Sequence, residues 1–166
     1  MRVLLVTPPM VQVNTPYPAT AYLTGFLRQH AAGLGATVMQ ADASLELFLQ
    51  LFSAPLVTEL ADTLRTRARK LRRKAAVPLA IAHFLKHADR YVASVEPAIR
   101  FLQRRDPSLA LRIVSRAFLP EGPRFEAASE NFLHEAFGAL GTTEQARYLA
   151  SLFVDDLADV WRIGID

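Results

Sequence analysis

The spacing of apolar residues changes once along this chain, and that change limits the folds it can adopt. Before residue 42, an apolar run at 3–6 and a second candidate strand at 36–40 flank a segment of helical spacing at 19–30. Short apolar runs are typical of buried strands, and a helix between two strands favours a right-handed parallel crossover. After Asp42 nearly every apolar residue recurs with a period near 3.6, which predicts helices.

We therefore predict a helix-rich α/β fold. It has an N-terminal βαβ unit, the start of a Rossmann-like sheet, at residues 1–42, followed by a mainly helical bundle packed on it at residues 43–166. Pro78 is expected to open a helix that Pro97 ends or kinks. Asp106 and Pro107 suit the start of another helix, expected to run to about Phe118. Two parallel strands make a poor sheet, so either helices cover them closely or further strands follow beyond the chain.

The composition excludes several kinds of site. The chain has no cysteine and so no disulfide, thiolate metal site or iron–sulfur cluster of its own. The apolar run after Arg2 is too short for a signal peptide, and no uninterrupted apolar stretch is long enough for a transmembrane helix. We expect a cytoplasmic location and no membrane partner. Dinucleotide, P-loop and serine-hydrolase motifs are absent, and no catalytic residue is predicted.

The turn after the first apolar run is the strongest candidate for a ligand site. Thr7, Pro8, Pro9 and Asn14 lie at or after the end of this strand, and Asp42 ends the second strand. In open α/β sheets, ligands bind beyond the carboxyl ends of the strands. We predict that these five residues line a cofactor or substrate pocket. The alternative is that the prolines and Asp42 only terminate the strands.

The same region carries a family resemblance. The segments that carry it are Val3-Leu4-Leu5-Val6-Thr7-Pro8-Pro9, Tyr17-Pro18-Ala19-Thr20-Ala21-Tyr22-Leu23, Leu27-Arg28 and the run from Val38 to Asp42. In this order they resemble the start of the cobalamin-binding-domain radical S-adenosylmethionine proteins. In that family a first strand ends in Asn/Thr-Pro-Pro, a loop leads into an Ala-Tyr-Leu…Leu-Arg helix, and a second strand ends in Asp.

The resemblance implies the N-terminal module of a larger cobalamin-dependent radical S-adenosylmethionine enzyme. Such a module would help to bind cobalamin or shape the substrate pocket without being catalytic alone. The S-adenosylmethionine and the iron–sulfur cluster would belong to the remainder of the same polypeptide, which is the module's implied partner. The family's helix-start glycine is Thr20 here, and both the Asp-x-His-x-x-Gly and the Cys-x-x-x-Cys-x-x-Cys motifs are absent. We therefore expect a fragment of a longer protein.

A second functional hypothesis rests on a run of cations. The seven basic residues within ten positions are Arg65, Arg67, Arg69, Lys70, Arg72, Arg73 and Lys74. On a helix they surround an apolar stripe, an arrangement that can bind phosphates or an acidic protein. No aromatic residue interleaves with them, so base stacking is not predicted. The alternative function is a stand-alone helical interaction or regulatory domain that binds nucleic acid or an acidic partner, and a solvated face is the simpler interpretation.

Two further patterns have the spacing of metal ligands. His83 and His87 share a helix face, but no third zinc ligand accompanies them, so ordinary histidines are expected. Asp155, Asp156 and Asp159 form an Asp-Asp-x-x-Asp motif that suits magnesium and a diphosphate substrate, or else a solvated acidic face. The solvated face is the preferred interpretation, and no metal site is predicted.

Overall fold

The computed structural model describes residues 1–9, 18–31, 33, 35–71, 76–138 and 141–165. The chain divides into two compact units, Met1–Leu51 and Phe52–Asp166, which are described in turn. The predicted helix-rich α/β fold, with a small parallel sheet first and helices after it, is confirmed. The division falls after Leu51, whereas the sequence pattern places it at residue 42.

The described residues of the first unit form a two-stranded parallel sheet and two α-helices. Strand β1 (Arg2–Thr7) pairs with strand β2 (Thr37–Asp42) along the whole length of both. Helix α1 (Pro18–His30) connects the strands and contacts both of them, and helix α2 (Ala43–Leu51) follows β2 directly and contacts β1. Because α2 packs on β1, it belongs to this unit and not to the helical one.

Hydrogen bonds as well as apolar burial attach α1 to β2. Thr24 Oγ1 donates to Gln40 Oε1 at 3.2 Å. Arg28 donates from Nε and Nη2 to the Val38 carbonyl oxygen, at 3.3 Å and 3.2 Å. The Val38 side chain is buried in the same region. Since a guanidinium presents its N–H groups in a fixed fork, Arg28 fixes the position of α1 along the strand.

The second unit is helical throughout its described part. Its helices are α3 (Ala54–Leu71), α4 (Leu79–Lys86), α5 (Ala88–Leu102), α6 (Ala110–Val114), α7 (Glu130–Phe137) and α8 (Thr142–Ile165), with 3-10 turns at Pro107–Leu109 and Pro123–Ala127. The long helix α8 contacts each of the other five. It is therefore the helix around which this unit packs.

Aromatic side chains from three helices form the core of the second unit. Tyr91 of α5 lies between Phe84 of α4 and Phe153 of α8, with ring centroids 5.1 Å and 5.4 Å apart. All three rings are fully buried, as are Leu149 and Leu157 on the same side of α8. The apolar stripe of α8 is thus the inner face of the helix, as its period of 3.6 residues requires.

The helix opened by Pro78 is shorter than predicted, and of the two outcomes expected at Pro97, an end or a kink, the structure excludes the end. It ends at Lys86, and a second helix starts at Ala88, so His87 separates α4 from α5. Pro97 lies inside α5 and does not end it. A proline within a helix removes one backbone hydrogen bond. The helix continues because the residues around Pro97, including Val95 and Ala98, are completely buried in the core.

The helix expected from Asp106 to Phe118 is also shorter than predicted. The Pro107–Leu109 turn is a 3-10 helix, and α6 ends at Val114. Arg116 then has a φ of 62°, a left-handed conformation that cannot continue an α-helix.

In the described part of the chain, no single helix has the length and apolar character to cross a membrane. Helices α2 and α3 pass that test only if they are counted together.

Candidate functional site

The carboxyl ends of the two strands bring Thr7 and Asp42 together. These residues are the last register pair of the parallel ladder. Thr7 is only 3% exposed, whereas Pro8 and Pro9, which come next in the chain, are exposed. Asn14 lies outside the described residues. Two of the five predicted residues are therefore neighbours across the sheet, and the two prolines follow one of them.

Thr20, in the first turn of α1, extends this edge. Its Oγ1 lies 3.2 Å from the Oγ1 of Thr7, so the two hydroxyls share a hydrogen bond in which either can donate. In the sequence, Thr20 is notable only because it stands where the cobalamin-binding-domain radical S-adenosylmethionine proteins, which this segment resembles, have a glycine. Its contact with Thr7 depends on how the chain returns from β1 to α1, which no local pattern reports.

Asp42 has a structural role at the same edge. Its Oδ1 accepts a hydrogen bond from the backbone N–H of Leu45 at 3.0 Å. Because α2 starts at Ala43, Asp42 is the residue immediately before the helix and satisfies one of its unpaired N–H groups. Asp42 therefore ends β2 and caps α2, and only part of its carboxylate is left for a ligand.

Two cations of the basic run have partners within the helical unit. Arg65 Nη1 lies 2.9 Å from Asp62 Oδ1, in an ion pair one turn apart on α3. Arg67 donates to the carbonyl oxygen of Gly164 in the last turn of α8. Carbonyls in a last turn lack helical partners, so Arg67 satisfies one of them. Its role is to join α3 to α8.

Of the remaining five cations of the run, the structure describes the side chains of two. Arg69 and Lys70 are exposed, and neither has an ion pair among the described residues. Residues 72–74 lie outside the described residues. The described part of the basic run thus keeps two free positive charges at the C-terminal end of α3, where a helix favours cations.

The two histidines at helical spacing are close but do not form a metal site. The His83 and His87 rings have centroids 4.7 Å apart. Burial, and then the nearby His87, Lys86 and Arg90, lower the pKa of His83. Its Nδ1 lies 3.5 Å from the hydroxyl of Tyr91. Within the described ranges, no three side chains of the His, Cys, Asp or Glu types are arranged to hold a metal ion.

The three aspartates of α8 do not converge on a common point. Asp155 is exposed, whereas Asp156 is buried. Asp159 Oδ2 lies 2.8 Å from Arg124 Nε, and its Oδ1 lies 3.1 Å from Arg162 Nη2. These ion pairs lower the pKa of Asp159. The magnesium hypothesis for this motif is not supported by the geometry, and neither is a uniformly solvated face, because the middle carboxylate points into the protein.

Asp156 is a buried carboxylate of the helical unit. It is 3% exposed and lies against Gly122, and its Oδ1 accepts the backbone N–H of Arg124 at 3.0 Å. Its Oδ2 has no hydrogen-bond partner in the described part of the chain. Burial raises the pKa of this carboxyl, and the N–H groups of Arg124 and Gly122 offset that rise only in part. Sequence spacing did not separate Asp156 from its neighbours.

The unchanged protein is expected to lose stability as the pH rises, because the buried Asp156 carboxyl becomes ionised. Asp156→Asn should remove this loss. The folded pKa lies above the ordinary value of 3.8, so this group stabilises the fold fully below that value. Its contribution disappears as pH rises through the folded pKa. Relative to the unchanged protein, the variant should therefore gain stability as the pH rises above 3.8 and until the folded carboxyl is fully ionised, by at most ~1.4 kcal/mol per pH unit.

Urea unfolding followed by the fluorescence of Trp161, the single tryptophan, measures this difference. Asp155→Asn removes one charge from an exposed neighbour on the same helix and is the matched control. Parallel stability curves for Asp156→Asn and the unchanged protein would show that the buried carboxyl does not couple folding to pH.

Comparisons of the chain with family models, with curated proteins and with solved structures find no match.

Proposed function

We propose that the Met1–Leu51 unit is the first part of the cobalamin-binding module of a radical S-adenosylmethionine enzyme, and that this chain is not catalytic alone. The observation that carries the proposal is the parallel register of β1 and β2, with Thr7 and Asp42 paired at one carboxyl edge. Ligands of open α/β sheets bind at such an edge. The resemblance of the strand, turn and helix motifs supports the family and, with it, a cytoplasmic location.

An uncovered face of the sheet supports the proposal that this unit belongs to a larger one. Leu4 and Met39 are register partners, and each is 59% exposed. Val6, on the same face of β1, is 49% exposed. Parallel sheets are normally covered on both faces, and two strands alone make a marginal sheet. We infer that the remainder of the same polypeptide adds strands to this pair and covers this face.

The residues at the carboxyl edge fit cobalamin through hydrogen bonds alone. The hydroxyl of Thr20 and the carboxylate of Asp42, both partly exposed, can bind the amide groups around a corrin ring, and the buried Thr7 holds the Thr20 hydroxyl in place through their shared hydrogen bond. Neither residues 8–17, which come directly after β1, nor residues 43–51, which come directly after β2, contain a histidine, so the segments at the carboxyl edge offer no histidine to cobalt. When bound, cobalamin supplies cobalt-centred group transfer, and the protein's task is to bind and orient it.

An iron–sulfur cluster does not fit this chain, because it has no cysteine. The cluster and the S-adenosylmethionine belong, in this proposal, to the remainder of the polypeptide. The part of the reaction assigned to the present chain is therefore limited to holding one cofactor and shaping the pocket beside it.

A titration of the purified chain with hydroxocobalamin tests the proposal. We expect saturable binding and a raised melting temperature, since a ligand that binds only the native state stabilises it. Thr7→Val keeps the shape of the side chain and removes one hydroxyl. It should weaken binding by about five- to tenfold, the effect of one lost hydrogen bond.

Thr37→Val is the matched control, because Thr37 starts β2 at the opposite edge of the sheet. It should leave the affinity for hydroxocobalamin unchanged. Equal weakening by both substitutions would place the ligand elsewhere. Absence of saturable binding by the folded chain would contradict the assignment of cobalamin to this unit.

A further inference from the structure

A groove between α3 and α4 of the helical unit has an apolar floor. Its volume is about 610 Å³, and its floor includes Ala68 of α3, Val77, and Ala82 and Leu85 of α4. Ala68 is buried, whereas Ala82 is exposed at the groove. Alanine side chains leave room for another backbone to approach closely. The groove is therefore a shallow trough between two helices, of the kind that receives a third helix.

Three cations border this trough. Arg65 and Arg69 lie on α3, and Lys86 lies in the last turn of α4. Arg65 is paired with Asp62. Neither Arg69 nor Lys86 has an ion pair among the described residues. The groove thus has an apolar floor and an unpaired positive charge on each of the two helices beside it. This surface is complementary to a ligand that has an apolar stripe with negative charges on both sides.

We infer that this groove docks an amphipathic helix of a partner protein whose apolar stripe is flanked by acidic residues. The apolar floor distinguishes this partner from nucleic acid, because phosphates gain nothing from contact with alanine and leucine. Nucleic-acid platforms usually add aromatic side chains for base stacking, and none of the described residues that line the groove is aromatic. Helix-in-groove recognition instead uses apolar anchors one turn apart, with charges that fix the orientation.

A designed peptide tests the inference on the full chain. The probe is a labelled peptide of about 18 residues, long enough to form a helix, with leucines along one face and glutamates on both flanks. A scrambled peptide of identical composition and charge is its control. We expect the fluorescence anisotropy to show saturable binding of the designed peptide and at least tenfold weaker binding of the scrambled one, because the apolar stripe is lost.

Two variants separate the groove from general positive charge. The double substitution Arg69→Glu with Lys86→Glu should weaken binding at least about tenfold, since like charges then face the peptide. The charge-matched control is Arg100→Glu with Arg105→Glu, on exposed residues that do not line the groove. It should change the affinity by less than about threefold at moderate salt, where remote charges are screened.

Ala82→Glu supplies an independent test, because it fills the floor from an exposed position and leaves the core intact. This substitution should abolish binding of the designed peptide, and circular dichroism confirms that each variant is folded. Equal binding of the two peptides, no effect of Ala82→Glu, or no binding below about 1 mM would overturn the inference. Tighter binding of a mixed-sequence single-stranded DNA than of the designed peptide would assign the surface to nucleic acid and would equally overturn it.

Discussion

Phe153→Ala should lower the free energy of unfolding of the helical unit by about 3–5 kcal/mol, the usual cost of removing a buried aromatic ring. The Phe153 side chain is completely buried, and its ring is stacked on Tyr91 with an interplanar angle of 19°. Tyr91 in turn contacts Phe84. Deletion of the Phe153 ring leaves a cavity beside Tyr91 in the core. It removes apolar burial and the aromatic contact at once.

Urea unfolding followed by the fluorescence of Trp161 measures this loss, because Trp161 lies on the same helix as Phe153. Phe132→Ala is the matched control. Phe132 is 41% exposed, and its ring contacts that of Tyr148 at 5.6 Å between centroids. The control should cost about 1 kcal/mol or less, as for substitutions near the surface. A loss below that value for Phe153→Ala would show that the aromatic cluster is not the core.

Gly122→Ala is expected to destabilise the same unit by about 2–4 kcal/mol, through a steric clash with a buried carboxylate. A Cβ at this position would lie 2.5 Å from Asp156 Oδ2 and 2.6 Å from its Cγ. The backbone of Gly122 has φ −86° and ψ −171°, which alanine adopts without strain. The cost therefore comes from the neighbouring side chain and not from the backbone. Asp156 cannot turn away, since it is buried and accepts a hydrogen bond from Arg124.

A double-mutant cycle with Asp156→Ala identifies the clash. Asp156→Ala alone should destabilise, because the N–H of Arg124 loses its acceptor. In that background, Gly122→Ala should cost less than about 1 kcal/mol, since the carboxylate it would meet is gone. Urea unfolding of the four proteins gives the coupling energy. Additive losses would mean that the glycine is required for a reason other than contact with Asp156.

Phe153 and Gly122 differ in how much of their role a local pattern can predict. The period of 3.6 residues is enough to predict that Phe153 lies on the inner face of α8. It does not indicate which rings of α4 and α5 meet it. Gly122 lies in a Pro-Glu-Gly-Pro segment that is typical of an ordinary turn. Its need for a hydrogen in place of a side chain arises only because α8 brings Asp156 against it.

The candidate ligand edge divides in the same way. The strand ends at Thr7 and Asp42 were predictable, because a helix between two short strands favours a parallel crossover, which puts both ends at one edge. The Thr7–Thr20 hydrogen bond and the cap that Asp42 provides for α2 were not. Each depends on the approach of a second segment, and the sequence carries no periodic signal for that approach.

By itself, the sequence determined the fold class, the parallel βαβ start, the inner faces of the helices and the absence of any thiolate site. These properties follow from periodicity and composition, which act within one segment at a time. Only the tertiary structure decided that α5 continues through Pro97, that Asp156 is buried while Asp155 and Asp159 are not, and that α3 and α4 enclose a groove. Packing between distant segments sets these features, because burial energy outweighs local preference wherever a helix faces the core.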